Sequence, residues 1–589
     1  MKGHVKKGII PWAMLFAALA YLAYFLQEAD STLFYFWQQA IPLSLGESLT
    51  GPGGFAAYLA GHLLEGLHRP VSGNIVCILI LGTVWTSLGL LLRPYRMNWF
   101  YQSILLACLI PVALLFTHYR LPFQLLISTS LGLLLAMLFN LHVPRRAPSR
   151  ILYMYLAAGV IYLATGVTGL VLWFQVVLLG KLSRGHFAER LASVGILLLP
   201  LLYLPFDTSL TIKLAYLDPF TLSATNELPA EFYLALLSPA LLQGIMAGFE
   251  YFSRGFRKVS RLPVSIASSL LVLVLLILTT QVSLEEKERD AYTILRAGFN
   301  EDWPEVIRLS RQLNAVNNLI QFEANRALYH SGLLLEDLFN YPQAFAEKGL
   351  FLDGIFSSHV AVHTAAFYHD LRFANETRHW STEAQMVLVR HPQVLKYLVV
   401  SHLATGTREA ALKYLRILSG SRIYRDWAED VLKMVEEHRE AEHPVIKAFM
   451  ENDPGSDFFA GVHDPVAKMK SFHFFNRGNR MAFEYLVAGY LLQHRLDAVV
   501  ALLPVFRELG YEKLPENVEE ALIIYQAKTG LQVDAAGYPI REESLNRFYD
   551  FSQQMGRGKT RAEREKLCYN YRNTYWYYIV LSSPYANKN

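Results

Sequence analysis

The sequence predicts an all-α protein: a polytopic helical membrane bundle of about nine spans, followed by a soluble helical-repeat domain. Three observations lead there. Apolar stretches of about 20 residues, long enough to cross roughly 30 Å of hydrocarbon, recur through residues 1–283. Charge is sparse in that half, with 18 Lys and Arg against 10 Asp and Glu, and ordinary in residues 284–589, with 36 against 40. Beyond 284 the apolar residues fall at helical rather than alternating spacing. The expected division is a transmembrane domain 1–283, with an interfacial outer loop 28–73, and a soluble domain 284–589.

The first span, 9–27, follows the basic start MKGHVKK and lacks a small-x-small cleavage site, so it reads as an uncleaved anchor. Further spans are expected at 74–92, 99–117, 121–141, 232–250 and 263–283, with a shorter one at 191–205. The run 151–180 allows one tilted helix or two short ones turning near TGVTG (165–169). Loop charge favours two. The N-terminus, 93–98, 142–150, 181–190 and 251–262 then share one side and hold 15 Lys and Arg, against Arg69, Arg120 and Lys213 on the other. That is the asymmetry of the positive-inside rule. The two halves are short for spans, which suits kinked or re-entrant segments. The expectation is a bacterial inner-membrane protein with a cytoplasmic N-terminus and a periplasmic domain from 284 onward. The outer loops also carry Glu28, Asp30, Glu47, Glu65, Asp207, Asp218, Glu227 and Glu231, eight of the ten carboxylates in that half.

Three cysteines, Cys77, Cys108 and Cys568, form no zinc spacing and no disulfide framework. In the soluble half, YLVVSHLATGTREAALKYL (397–415) aligns without gaps on YLVAGYLLQHRLDAVVALL (485–503). Each block reads as a helix, a polar turn, and a second helix opening on an acid and a small residue. LRAGFNEDWPEVIRLSRQL (295–313) has the same outline, and KLPENVEEALIIYQ (513–526) places a proline at a helix start. These units resemble the tetratricopeptide helix pair, which implies a TPR-like α-solenoid with a concave surface for protein segments. An irregular helical domain without a groove is the alternative.

Loop 28–73 holds most of the candidate chemistry. Glu28 and Asp30 sit at the outer end of the first span, before the aromatic cluster Phe34, Tyr35, Phe36 and Trp37, which suits the headgroup layer. GPGG (51–54) opens an interfacial helix over 55–67. Its first N–H groups, at Gly53 and Gly54, are candidate anion ligands, although glycines there are more often only a turn. His68, Arg69, His118, Arg120 and Lys213 are the few outer-side groups able to hold an anion such as a lipid diphosphate. Snorkelling or pairing with the carboxylates is the plainer account. His62, Glu65 and His68 diverge around their helix, and His359 and His363 lack the glutamate of HExxH, so no metal site is expected. CYNYRNTYWYYIV (568–580) is tyrosine-rich; such faces stack on sugars or grip peptides, but more often cap the last repeat. No Walker loop, Rossmann fingerprint, serine elbow or zinc-finger spacing occurs, and nothing supports nucleic-acid binding.

QEADSTLF, followed by PGGFAAYLAGHLLEGLHRP, resembles an uncharacterised family of multi-pass envelope proteins of Bacteroidota, which carries no settled activity. The layout is also similar to the GT-C membrane glycosyltransferases. That likeness implies Glu28 or Asp30 as general base or as ligand of a divalent metal, and Arg69 and Arg120 as holders of a lipid phosphate. The sequence departs from that pattern in having no tight acidic pair and a short loop. Three functions follow as expectations. The first is an envelope-biogenesis scaffold, embedded in the lipid bilayer, that presents 284–589 to periplasmic protein partners. The second is a GT-C-like transferase using a lipid-linked sugar. The third is a transporter or channel, disfavoured by the scarcity of charge within the spans.

Overall fold

The computed structural model describes residues 16–93, 101–144, 147–179, 187–204, 216, 228–253, 261–284, 286–313, 317–352, 358–452 and 464–586. Asp207, Lys213, Asp218 and Glu227, and most of the basic loop residues counted above, lie outside this set. Among the described residues the chain is all-helical, without strands. It forms two compact units, residues 1–285 and 286–589.

In the first unit four helices are long and apolar enough to cross a membrane: Pro70–Leu91, Phe123–Leu141, Ser149–Leu178 and Ile266–Ser283. Leu79, Leu271, Leu278 and Val282 turn outward from the protein and are exposed, as lipid-facing residues would be. The other expected spans are shorter or interrupted, for identifiable reasons. The segment 101–117 breaks at Cys108 because Pro111 removes the N–H that would bond the carbonyl of Ala107. A 3₁₀ turn, Gly195–Leu198, splits 191–203 just before Pro200. Pro239 interrupts Ala230–Ser253, and the freed groups are recovered. Ser238 Oγ donates to Ala235 O at 2.7 Å, while Gln175 bridges the gap by donating to Leu236 O and accepting from Ala240 N. The first helix, 16–28, is tied to the last by Tyr21 Oη and Thr280 Oγ1 at 2.6 Å.

The run expected to hold one or two helices is a hairpin. Helical segment Ala147–Leu179 contains Gly166 at φ 68°, ψ −157°. Trp173 Nε1 donates to Met154 O at 3.1 Å, and Phe139 meets both Tyr153 and Trp173 with ring centroids 6.1 and 6.3 Å away. A straight helix would hold residues 154 and 173 about 28 Å apart. The chain therefore reverses at Gly166, within TGVTG. Helix Phe123–Leu141 crosses the hairpin where Gly132 faces Gly169; a Cβ on Gly132 would come within 2.6 Å of Gly169 Cα.

The second unit is built from helix–turn–helix pairs. The two aligned blocks fall on Pro392–Ala404 with Arg408–Leu418, and on Arg480–Leu492 with Leu496–Ala501 and Leu503–Glu508. Pro504 splits the last helix. The unit departs from an open solenoid, in which each repeat touches only its neighbours. Residues 322–373 and 466–581 share one core that bypasses the helices between them. Tyr485 lies against Phe351 and Phe367, and Phe339 against Tyr575 and Tyr578. Leu338 N donates to Asn517 Oδ1, and Glu516 N to Glu336 Oε2. The tyrosine-rich C-terminus closes this core. Tyr575, Trp576 and Tyr578 are buried, and Trp576 Nε1 donates to Glu520 O at 2.8 Å.

Two predictions follow from these packing constraints. The Gly166 dihedrals are accessible essentially to glycine alone, so Gly166→Ala should cost about 1–3 kcal/mol. Gly159→Ala, where a Cβ meets open space, should not; melting of the full chain in detergent checks both, and equal melting temperatures would contradict the turn. Glu520 accepts the Tyr575 N–H at 2.7 Å, and burial pushes its carboxyl from 4.5 up to about 8. The folded state therefore binds the proton more tightly than the unfolded chain. Its stability contribution is complete below about pH 4.5 and is lost as pH rises towards 8. Glu520→Gln should gain stability relative to the native residue across that window, measured by urea unfolding at successive pH values.

Candidate functional site

Three of the segments that carry expected site residues meet around the turn that ends the first helix. Asp30 holds a left-handed backbone, φ 49°, and its Oδ1 accepts from Thr32 N at 3.1 Å and Thr32 Oγ1 at 2.6 Å. This is the local turn that short acidic side chains form, and it starts helix Thr32–Gln38. Glu28, two residues earlier, is half-buried. Two other segments close on the turn. Tyr119 Oη donates to Ala29 O at 2.6 Å, and Ser31 packs against Gly73, where an added Cβ would sit 2.4 Å from Ser31 Oγ. The segments bearing Glu28 and Asp30, Arg69, and Arg120 are thus neighbours.

The aromatic cluster is placed otherwise than expected. Phe34, Tyr35 and Phe36 are buried in the protein rather than spread in a headgroup layer. Phe34 meets Phe116, Tyr119 and Phe123 edge-on at 5.6–6.5 Å. Gln38 explains the fit: its Nε2 donates to Tyr119 O and Leu121 O, and its Oε1 accepts from Phe123 N, all at 2.7 Å. One amide side chain thereby satisfies the tight turn 119–123. Trp37, half-buried, carries Arg120 over its ring at 5.5 Å.

The remaining cationic candidates have distinct surroundings. His68 lies edge-on to Tyr35 at 5.2 Å. Although its side chain reaches solvent, desolvation against its surroundings and repulsion from Arg69 hold its pKa below 6.5. It is mostly neutral at pH 7, so it could meet an anion by hydrogen bonding but not by charge. Arg69 is exposed at the N-terminal end of helix Pro70–Leu91. His118 approaches Glu231 at 3.7 Å. His62 turns to Tyr58 at 4.6 Å while Glu65 is buried, so the i, i+3, i+6 set diverges. Among the described residues, no three His, Cys, Asp or Glu side chains converge to hold a metal.

Gly53 and Gly54 are used internally, which corrects their reading as anion ligands. Gly53, at φ 77°, donates its N–H to Tyr162 O and Leu163 O at 3.2 and 3.0 Å, and Gly54 N donates to Gly51 O. A Cβ on Gly54 would fall 1.9 Å from Ser48 O. The glycines let the outer loop seat against the hairpin reversal; they do not leave these donors for a ligand.

The sequence reading missed a buried charge network in the second unit. Arg326 binds Glu323 at 2.9 Å and Asp370 at 2.7 Å, His363 Nδ1 meets Glu323 at 2.6 Å, and His330 Nε2 meets Asp370 at 3.0 Å. Trp303 stacks on His330 at 4.2 Å. Burial pushes both carboxyls up, but Arg326 and the histidines outweigh it and hold them below their ordinary range. The available signal was the spacing of Glu323, Arg326 and His330 at i, i+3, i+7 along one helix face.

The chain belongs to a family of unknown function, DUF6057, whose model matches residues 6–582. No curated protein and no solved structure matches it.

Gln38→Leu removes three hydrogen bonds and leaves buried partners unmet, so it should destabilise the first unit by about 1–3 kcal/mol. Thiol labelling of an Arg120→Cys reporter in the full chain should become faster in the Gln38→Leu background; an unchanged rate would show that Gln38 does not hold this turn.

Proposed function

We propose that the chain is a membrane-anchored scaffold of the bacterial envelope. In this reading the first unit crosses the inner membrane about nine times from a cytoplasmic N-terminus. The second presents TPR-like helix pairs to protein partners in the periplasm. The reversal at Gly166 supports two crossings within 151–180. The carrying observation is the surface of the second unit. Met386, Val387 and Val389, at the end of helix Ala374–Val387, and Phe474 and Phe475, at the end of helix Pro465–Phe475, each leave more than half their surface exposed. Each helix end bears a small cluster of exposed apolar groups, and such clusters mark interaction sites. A photoreactive residue at 387 or 474 of the full chain, crosslinked in intact cells, should give a discrete protein adduct that is absent at the exposed control position Glu409. Absence of an adduct at both positions, or the same adduct at Glu409, would overturn the scaffold.

A second reading, a GT-C-like transferase acting on a lipid-linked sugar, draws support from the convergence of the Glu28–Ser31 turn with the segments of Arg69 and Arg120. A general base contributes about a hundredfold or more. Glu28→Gln combined with Asp30→Asn should then lower sugar transfer in proteoliposomes by about that factor while the protein stays folded. Undiminished transfer would remove both carboxylates from the chemistry.

A further inference from the structure

The helix pair that opens the second unit, Glu286–Phe299 and Trp303–Gln312, meets three histidines of the helices beyond it. From the unequal surroundings of those histidines we infer that acid releases this pair, and that His391 is the trigger. The inference does not depend on the function proposed above.

The pair docks through a small core. Ile294, Val306 and Leu309 join Ile320 and Ala327 of helix Asn318–His330, apart from the larger core of the unit. Rings and single polar contacts add to this. Gly298 lies so close to Glu323 that an added Cβ would fall 2.2 Å from its Oε2. Phe299 is wedged edge-on between His363 and His391, each ring centroid 5.9 Å away. Trp303 stacks on His330, with Arg326 5.3 Å from the indole, and Arg311 Nε donates to Tyr341 Oη at 2.8 Å.

Protonation affects the three histidines differently. His330 Nε2 lies 3.0 Å from Asp370 and His363 Nδ1 lies 2.6 Å from Glu323, so a proton on either ring faces a carboxylate. His391 has no such partner among the described residues. It is 4% exposed, and its Nδ1 makes no hydrogen bond. A neutral imidazole can leave one nitrogen as a bare lone pair, whereas an imidazolium needs acceptors for two N–H groups. The surrounding charges give no help. His363, on helix Ser358–Asp370, repels a proton on His391, and Arg390 and Lys396 flank it along its own segment. Glu301, on the turn after Phe299, acts on Lys396 instead. Burial and then His363 lower the His391 pKa from 6.5 to about 3.

The direction follows from that difference. Docked, His391 stays neutral down to about pH 3; exposed to water, it takes a proton below 6.5. Between those values, each fall in pH favours the state in which Phe299 has withdrawn and water reaches the ring. His369, lowered to about 3 by burial, meets Tyr397 and Phe449 rather than this pair. Residues 286–312 stand in the chain between the apolar helix Ile266–Ser283 and the remaining helices, so their release lengthens that link.

Hydrogen exchange of the full chain in nanodiscs, read by mass spectrometry and corrected for intrinsic rates, tests the switch. Amides of 286–312 should exchange at least about tenfold faster at about pH 5 than at about pH 7.5, while helix Arg480–Leu492 changes less. His391→Phe, which keeps an apolar ring beside Phe299, should remove that acceleration. If His391→Phe fails to fold, Phe299→Ala decides: with the wedge gone, exchange should already be fast at the higher pH and the ratio should collapse. No acceleration in the native chain, an undiminished ratio in either folded variant, or an equal acceleration in helix Arg480–Leu492 would overturn the switch.

Discussion

A carbonyl left without a donor inside a membrane protein is costly, and the break at Gly166 creates such carbonyls in the last turn before the reversal. Gly53 answers them with its own N–H, approaching in a left-handed conformation. Much of the first unit is arranged around this one exchange. It requires GPGG to reach the hairpin, which draws helix Gly54–Gly66 in with it and fixes the loop that carries Glu28 and Asp30. Gly132 and Gly169 then let the crossing helix come close enough to cover the reversal.

The second unit answers a different constraint. A helical array with two open ends must cover its terminal apolar faces. Here the C-terminal helices fold back onto helices early in the unit, through Phe339 with Tyr578 and Tyr485 with Phe367. The buried Arg326 network fits the same economy. A lone charge at that depth would be prohibitive, whereas Arg326 between two carboxylates, each also held by a histidine, leaves no charge unmet.

Much of this was legible in residue order. Helical periodicity announced an all-α chain, the paired blocks at 397 and 485 fell on helix–turn–helix units, and TGVTG marked the point of reversal. What stayed hidden depended on partners far away in sequence. Phe34 reads as an interfacial aromatic until Phe116 and Phe123 are seen around it. Gly53 reads as an anion ligand until Tyr162 and Leu163 take its N–H. Glu323 and His363 are ordinary surface types by composition, and only their mutual contact explains their burial. Pro111 and Pro200 are plain in the sequence, yet whether a proline merely kinks a span or divides it depends on which neighbours take up the freed carbonyl.

Closure of the second unit also sets an order of events during synthesis. Phe339 leaves the ribosome well over two hundred residues before Tyr575 and Tyr578, its eventual cover. At translation speeds of about 5–20 residues per second, that interval is roughly 12–50 s. For all of it, the early helices must stay unfinished without misassociating. Residues 575–581 thus behave as a clasp that is fastened late, and a chain stopped shortly before Trp576 would never lock.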